Sequence, residues 1–188
     1  NEMMPVISRW ANGWHGLDAF GDPWNLILGL AVFFLARLLG NMYFINNIRH
    51  EGLILRCRRQ LISDAVPFLL FFLAFVIRTL LKDGFAVDAE TQTIVMEPYK
   101  YFNNLLAMPY LLILFLVGVI GVLFGLVKSI LSATYTKGIW FAGTGTVLTV
   151  LALLLCVGYN HTAYYPSTAD LQSSLTLANS CSSKFTLT

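Results

Sequence analysis

Three ionisable side chains lie in or beside the long apolar runs of this chain, and they are the first candidates for chemistry. Arg37 lies within one apolar run, and Asp64 and Arg78 lie at the two ends of the next. A charge inside a bilayer costs about 2.5 to 3.5 kcal/mol on insertion scales, so such residues usually have partners. Asp64 therefore has two interpretations: an intramembrane ion pair with Arg37, or a carboxylate of a proton path.

The ion pair is the favoured interpretation, because both residues belong to a predicted helical hairpin. Their expected depths differ by about 6 Å at a rise of 1.5 Å per residue, and an arginine stem can cover that distance. Arg78, with Lys82 one turn later, is expected to extend its charge to the membrane interface.

No spacing in the sequence is typical of a metal centre or an activated nucleophile. None of His15, His50 and His161 has a second histidine three or four positions later. The cysteines are far apart and form no Cys-x-x-Cys pair, so we expect no disulfide among them; they are Cys57, Cys156 and Cys181. Phosphate-loop, hydrolase-elbow and His-Glu-x-x-His motifs are absent. We predict no catalytic, cofactor-binding or metal site in this stretch.

The composition indicates that the solvent of this chain is the bilayer. Of its 188 residues, 57% are hydrophobic and only 12% are charged, and the mean hydropathy is +0.69. A soluble domain of this length needs more charge to cover its surface. The net charge of +2 and the lack of a basic cluster with stacking aromatics argue against nucleic acid as a partner.

Four apolar runs are long enough to cross a bilayer, which takes about 20 helical residues. We predict a single membrane domain of the all-α class, a polytopic four-helix transmembrane bundle. Its expected parts are an outer segment at 1–22, spans at 24–45, 65–81, 106–127 and 139–157, and an outer polar tail at 158–188. Glycines along the third span, and Gly143 with Ala142 in the fourth, are expected to allow close helix packing; those of the third span are Gly118, Gly121 and Gly125.

Loop charges predict the orientation of these spans. The first connection is rich in arginine and the third carries two lysines, whereas the connection at 82–101 is mainly acidic. By the positive-inside rule, the first and third connections are cytoplasmic, and both ends of the chain lie outside. The basic residues are Arg49, Arg56, Arg58, Arg59, Lys128 and Lys137.

The tail has an uncommon order of residues, an aromatic-Pro-Ser step followed by Ser-Leu-Thr-Leu-Ala-Asn-Ser-Cys-Ser-Ser. It resembles the segment before the last transmembrane helix of subunit II of cytochrome bd, the bacterial quinol oxidase. The start of the first span, Asp22-Pro23-Trp24-Asn25, and its end, Gly40-Asn41-Met42-Tyr43-Phe44, are similar to the fifth helix of that family. The tail residues that carry the resemblance are Tyr165, Pro166, Ser167, Ser174, Leu175, Asn179 and Ser182.

This resemblance implies a role in aerobic respiration at the bacterial cytoplasmic (inner) membrane. Cytochrome bd oxidises quinol and reduces O2 to water, and the protons used contribute to a transmembrane gradient. The resemblance implies a heterodimer in which subunit I holds hemes b and d and the quinol-oxidising loop, and in which this chain binds no heme and contacts membrane lipids. It also implies a piece of a longer protein, with four spans before it and another helix after Thr188.

Two other functions stay open at this point. A transporter or permease fragment would need broken helices and a polar midplane; the predicted spans lack a proline in mid-helix, which disfavours transport. A structural or assembly protein of the membrane is the third possibility. The tail hydroxyls have two possible roles as well, capping the start of a helix or contacting a quinone.

Overall fold

The chain folds into five α-helices, within the part that this computed structural model describes, namely residues 17–88, 93–165, 172, 175 and 176. Four helices are long and apolar enough to cross a membrane, which confirms the predicted all-α, four-helix transmembrane bundle. A 3-10 turn at Leu17–Gly21 precedes them. The helices are α1 (Pro23–Asn47), α2 (Glu51–Leu81), α3 (Lys100–Ala107), α4 (Pro109–Leu131) and α5 (Gly138–Gly158).

Two small antiparallel sheets lie between or after the long helices. Strand β1 (Gly84–Val87) pairs with β2 (Ile94–Glu97), and β3 (Ala163–Tyr165) pairs with β4 (Leu175–Thr176). A bridge from Ala86 to Thr162 joins the two sheets. We call this side of the bundle, where α1 begins and α2 and α5 end, the hairpin end. The opposite side, which carries the connections 48–50 and 132–137, is the arginine end.

Helix α2 begins far earlier than the predicted span at 65–81. It starts at Glu51, with His50 as the N-cap, so Arg56, Arg58 and Arg59 belong to a helix and not to a loop. Arginine is a good helix former, and the hydropathy that defines a span gives no information about polar helical turns beyond the bilayer. The 31 residues of α2 extend about 46 Å, more than the roughly 30 Å of a hydrocarbon core.

The longer helix also contradicts the prediction that the spans lack a proline in mid-helix. Pro67 lies inside α2, whereas the predicted span placed it in the first turn, where proline is tolerated. A proline inside a helix removes one backbone donor, so the Ser63 carbonyl lacks its usual i+4 partner. The absence of mid-helix proline is therefore no argument against a transporter.

The predicted span at 106–127 is divided in the structure. Helix α3 ends at Ala107 and α4 begins at Pro109, with Met108 between them at φ −119° and ψ 77°. A residue before proline is driven out of the helical region by the proline ring. The apolar residues at 105–107 therefore belong to a separate short helix at the hairpin end.

The four long helices form two hairpins that pack on each other. Helix α1 lies along α2 and α4 lies along α5, with further contacts from α1 to α5 and from α2 to α4. The main apolar core lies toward the arginine end and draws on all four long helices. Its buried residues are Leu38, Met42, Ile45, Cys57, Leu61, Ala65, Phe68, Val122, Leu126 and Ala142.

Glycines bring α4 and α5 into backbone contact. A Cβ added at Gly118 would lie 2.8 Å from the Gly145 carbonyl oxygen, and one added at Gly125 would lie 2.6 Å from the Gly138 carbonyl oxygen. Small residues allow this close approach in membrane helices. Gly145 provides the contact that was expected of Gly143, because a Cβ at Gly143 would meet nothing within 4 Å.

This contact gives a matched pair of substitutions. A Cβ at Gly145 would lie 2.5 Å from the Gly118 carbonyl oxygen, so we expect Gly145→Ala to lower the free energy of unfolding by about 1 to 3 kcal/mol through overpacking. Gly143→Ala, two positions away, should leave stability unchanged or raise it by up to about 1 kcal/mol through helix propensity. Unfolding in detergent measures both variants, and equal stabilities would contradict the close α4–α5 contact.

Candidate functional site

The structure brings Arg37 and Asp64 together inside the α1–α2 hairpin. The Arg37 Nε lies 3.0 Å from the Asp64 Oδ2, and Gln60 donates from Nε2 to the Asp64 Oδ1 at 3.0 Å. Gln60 and Asp64 are four residues apart on α2, a spacing that places two side chains on one helix face. Both carboxylate oxygens of Asp64 therefore accept a hydrogen bond.

The two partners of this pair have different surroundings. The Asp64 side chain is only 3% exposed, whereas the Arg37 side chain is 42% exposed. The Arg37 guanidinium also lies 5.6 Å from the centre of the Phe33 ring, a distance suited to a cation–π contact. Asp64 is thus a buried carboxylate with one hydrogen bond at each oxygen, and Arg37 connects it to the outer surface of the hairpin.

A second arginine, Arg58, joins α2 to the connection between α4 and α5. It is buried, and its guanidinium donates to the carbonyls of Ser129 and, at 2.5 Å, Ser132. Its other terminal nitrogen donates to the carbonyls of Ala133 and Tyr135, each at 2.9 Å. The last carbonyls of a helix have no intrahelical donors, so Arg58 caps α4 and fixes the turn that follows.

A buried asparagine holds the hairpin end in the same manner. Asn104 on α3 donates from Nδ2 to the carbonyl of Cys156 at 3.0 Å and to the Thr162 Oγ1 at 2.9 Å. Its Oδ1 accepts from the Asn160 Nδ2 at 3.0 Å. The sequence does not reveal the role of Arg58, because its partners are backbone carbonyls, which have no sequence signature. Asn104 binds both backbone and side-chain groups that lie more than 50 positions away.

Replacing Asn104 should loosen the segment after α5. In Asn104→Leu, buried carbonyls and the Thr162 hydroxyl lose their donor, so we expect a loss of about 2 kcal/mol or more. Asn103→Leu is the matched control, because Asn103 is exposed and its side chain makes, within the described residues, only a 3.5 Å contact with the Pro98 carbonyl. Hydrogen exchange at 159–163 should rise only in the Asn104 variant; equal protection in both would contradict the structural role of Asn104.

Arg78 lies at the hairpin end, over a tryptophan ring. Its guanidinium is 5.5 Å from the centre of the Trp24 ring, which couples the end of α2 to the start of α1. Asp22 caps α1 by accepting from the Trp24 backbone N–H at 3.0 Å. Arg78 is therefore anchored at the end of its span, close to a cavity that Lys82 also lines.

Two of the tail residues that carry the family resemblance are backbone partners in the second small sheet. Tyr165 in β3 is the register partner of Leu175 in β4. The remaining five lie outside the described residues, and so does any contact of the three serine hydroxyls; they are Pro166, Ser167, Ser174, Asn179 and Ser182.

The two described histidines lie outside the membrane-spanning helices, one as a helix cap and one after α5. The His50 Nδ1 accepts from the Leu53 backbone N–H at 3.3 Å as the cap of α2. His161 is exposed, in a turn at φ 52° that follows α5. Within 17–88 and 93–165, no three His, Cys, Asp or Glu side chains come together as a metal site, and Cys57 and Cys156 are both free.

Comparison with known proteins identifies the family. The sequence model of the family described as cytochrome bd terminal oxidase subunit II matches residues 4–188, which is nearly the whole chain. No curated protein and no solved structure matches the chain. With four helices able to span a membrane, the chain is an integral membrane protein and belongs to the cytochrome bd terminal oxidase subunit II family.

Proposed function

We propose that this chain is the structural subunit of a bd-type quinol oxidase and that the redox chemistry takes place in a heme-bearing partner, subunit I. The family match over residues 4–188 is the observation that carries the proposal. Hemes b and d and the quinol-oxidising site belong to the partner in this proposal. When bound there, they transfer electrons from quinol to O2. This chain packs against the partner and contacts it through the charged side chain of Arg37.

The exposure of Arg37 supports a protein partner on the α1 face. Arg37 belongs to a helix that can span the membrane, and its side chain is 42% exposed in the isolated chain. Charged residues at bilayer depth rarely face lipid and are usually covered by protein or paired. A second polypeptide against α1 would cover the guanidinium while Asp64 holds it from the other side.

The arrangement of Asp64 supports a structural role for the ion pair over a proton path. Each of its oxygens accepts a hydrogen bond, from Arg37 and from Gln60, and the side chain is almost fully buried. A relay carboxylate needs a proton donor or water on one side and an acceptor on the other. We assign the pair to positioning α1 against α2.

The orientation follows from the positive-inside rule. We propose that the arginine end, with Arg49 and Lys137, faces the cytoplasm of a bacterial cell, and that the hairpin end and both chain termini face the periplasm. Reaction of single cysteines, introduced after Cys57, Cys156 and Cys181 are replaced by alanine, with an impermeant reagent tests this. A cysteine at Asp83 should react in intact cells, whereas one at Thr134 should react only after lysis.

Purification from native membranes tests the proposed complex. A tagged form of the full protein should retain a second subunit, show the absorbance of hemes b and d, and consume O2 when supplied with quinol. A purified protein without pigment or a second subunit would contradict the oxidase assignment. It would favour a transporter or an assembly protein.

A further inference from the structure

The hairpin end contains a cavity that the proposed oxidase role does not use. It has a volume of about 240 Å³ and lies among the start of α1, the end of α2, and residues of α3 and α5. Phe75 and Val157 line its apolar part, and Arg78 and Lys82 its charged part. We call it the Arg78 pocket. A site that is both apolar and cationic selects an amphipathic ligand.

The lining of the Arg78 pocket has an excess of hydrogen-bond donors. Arg78 and Lys82 bring two cationic groups, and Trp24 and Tyr101 bring an indole N–H and a phenolic hydroxyl. Within the described residues, neither cation has a carboxylate at ion-pair distance. The ligand that matches such a lining is an acceptor with negative charge, and phosphate oxygens pair well with guanidinium groups.

The acceptors on the lining are one carboxylate and neutral oxygens. Asp22 accepts the Trp24 backbone N–H through Oδ1, and Asn25 donates its Nδ2 to the Ala19 carbonyl at 2.9 Å and keeps its Oδ1 as an acceptor. Thr79 donates its hydroxyl to the Phe75 carbonyl at 2.9 Å and can still accept through the same oxygen. With one carboxylate against two cations, the pocket has a net positive charge. Burial, and secondly the neighbouring Cys156, raise the pKa of Tyr101 above its usual value. A phenol is protonated at neutral pH even without this rise, so the Tyr101 hydroxyl can donate.

The position of the pocket favours a lipid over a free anion. Helix α1 begins at Pro23 and α2 ends at Leu81, so the pocket lies where the apolar spans end. Lipid phosphates lie at this level of a bilayer, and tryptophan and cationic side chains are enriched there. A volume of about 240 Å³ accommodates a headgroup. Acyl chains would extend along an exposed apolar stripe of α1 that lies away from Arg37 and includes Leu28 and Val32.

We propose that the Arg78 pocket binds the phosphate of an anionic phospholipid, with Arg78 and Lys82 as the charged contacts. This proposal does not depend on the oxidase role. It assigns to the chain a lipid site at the hairpin end, on the side opposite the arginine-rich connection.

Lipid titration of the purified protein tests this proposal. The full protein, with any subunit that co-purifies, is delipidated in detergent and titrated with phosphatidylglycerol, phosphatidylcholine or inorganic phosphate. Native mass spectrometry reports bound lipid, and thermal unfolding reports stabilisation. We expect phosphatidylglycerol to bind and stabilise, and its affinity to fall about tenfold or more in Arg78→Gln/Lys82→Gln, since each cation near a membrane surface contributes about a factor of five.

Matched controls separate this site from general electrostatics. Lys128→Gln/Lys137→Gln removes the same charge at the arginine end and should keep wild-type affinity. Equal binding of phosphatidylcholine, equal stabilisation by inorganic phosphate, or unchanged affinity in Arg78→Gln/Lys82→Gln would each overturn the proposal. If that variant does not fold, a photoactivatable phosphatidylglycerol on the wild-type protein decides: labelling of peptides with Trp24 or Tyr101 supports it, and labelling elsewhere overturns it.

Discussion

Arg37→Met should lower the free energy of unfolding by about 3 to 5 kcal/mol, the typical loss when a buried ion pair is broken from one side. The Asp64 side chain is 3% exposed, so its carboxylate would keep only the neutral contact with Gln60. Asp64→Leu should cost less, because Arg37 is 42% exposed and can turn toward water or a partner. Thermal unfolding of the purified protein measures both variants.

The double variant Arg37→Met/Asp64→Leu separates structure from proton transfer. Replacing both members of a buried pair by apolar residues is often neutral or stabilising, so we expect stability within about 1 kcal/mol of the wild type. If the pair only positions α1 against α2, quinol-dependent O2 consumption should recover together with stability. A stable double variant that has lost turnover would contradict the structural role and favour Asp64 as a proton carrier.

Replacing Arg58 should have a comparably large effect on stability. In Arg58→Leu, four carbonyls at the end of α4 and in the following turn lose a charged donor. Hydrogen bonds to charged groups contribute about 1.5 to 3 kcal/mol each, and the contributions overlap, so we expect a loss of about 3 kcal/mol or more. Arg58→Lys should recover little, because an ammonium cannot span the carbonyls that a guanidinium fork reaches.

Arg59 is the matched control for Arg58. It is the next residue of α2, carries the same charge and is exposed. Arg59→Leu should change stability by less than about 0.5 kcal/mol, as is usual for surface substitutions. If the two variants unfold at the same temperature, Arg58 does not hold the α4–α5 connection.

The four-helix bundle and the Arg37–Asp64 pair could be predicted from sequence, because the bilayer allows few backbone conformations and few unpaired charges. Four apolar runs can only form helices in hydrocarbon, and a charge such as Arg37 within one of them needs a partner. Asp64 was the only acidic residue near enough in the predicted hairpin. The structure places them 3.0 Å apart, although α2 begins 14 residues before the predicted span, at 51 and not 65.

The remaining contacts depend on information that one sequence does not contain. Arg58 binds backbone carbonyls, which every residue has, and Asn104 binds groups more than 50 positions away along the chain. Gly143 and Gly145 are alike in sequence, and only the rotation of α5 against α4 makes Gly145 the contact residue. The end of the short helix α3 is apolar, so hydropathy alone joins it to the following span. Only the structure shows that Pro109 starts a new helix.

The central claim is that this chain holds no redox group of its own, and its histidines provide the most direct test. The full complex is purified with His15→Gln, His50→Asn and His161→Gln combined, where asparagine preserves the cap of α2. Reduced-minus-oxidised spectra then give the content of hemes b and d per complex. We expect the wild-type content of both hemes; loss of either signal from an assembled complex would show that this chain ligates it.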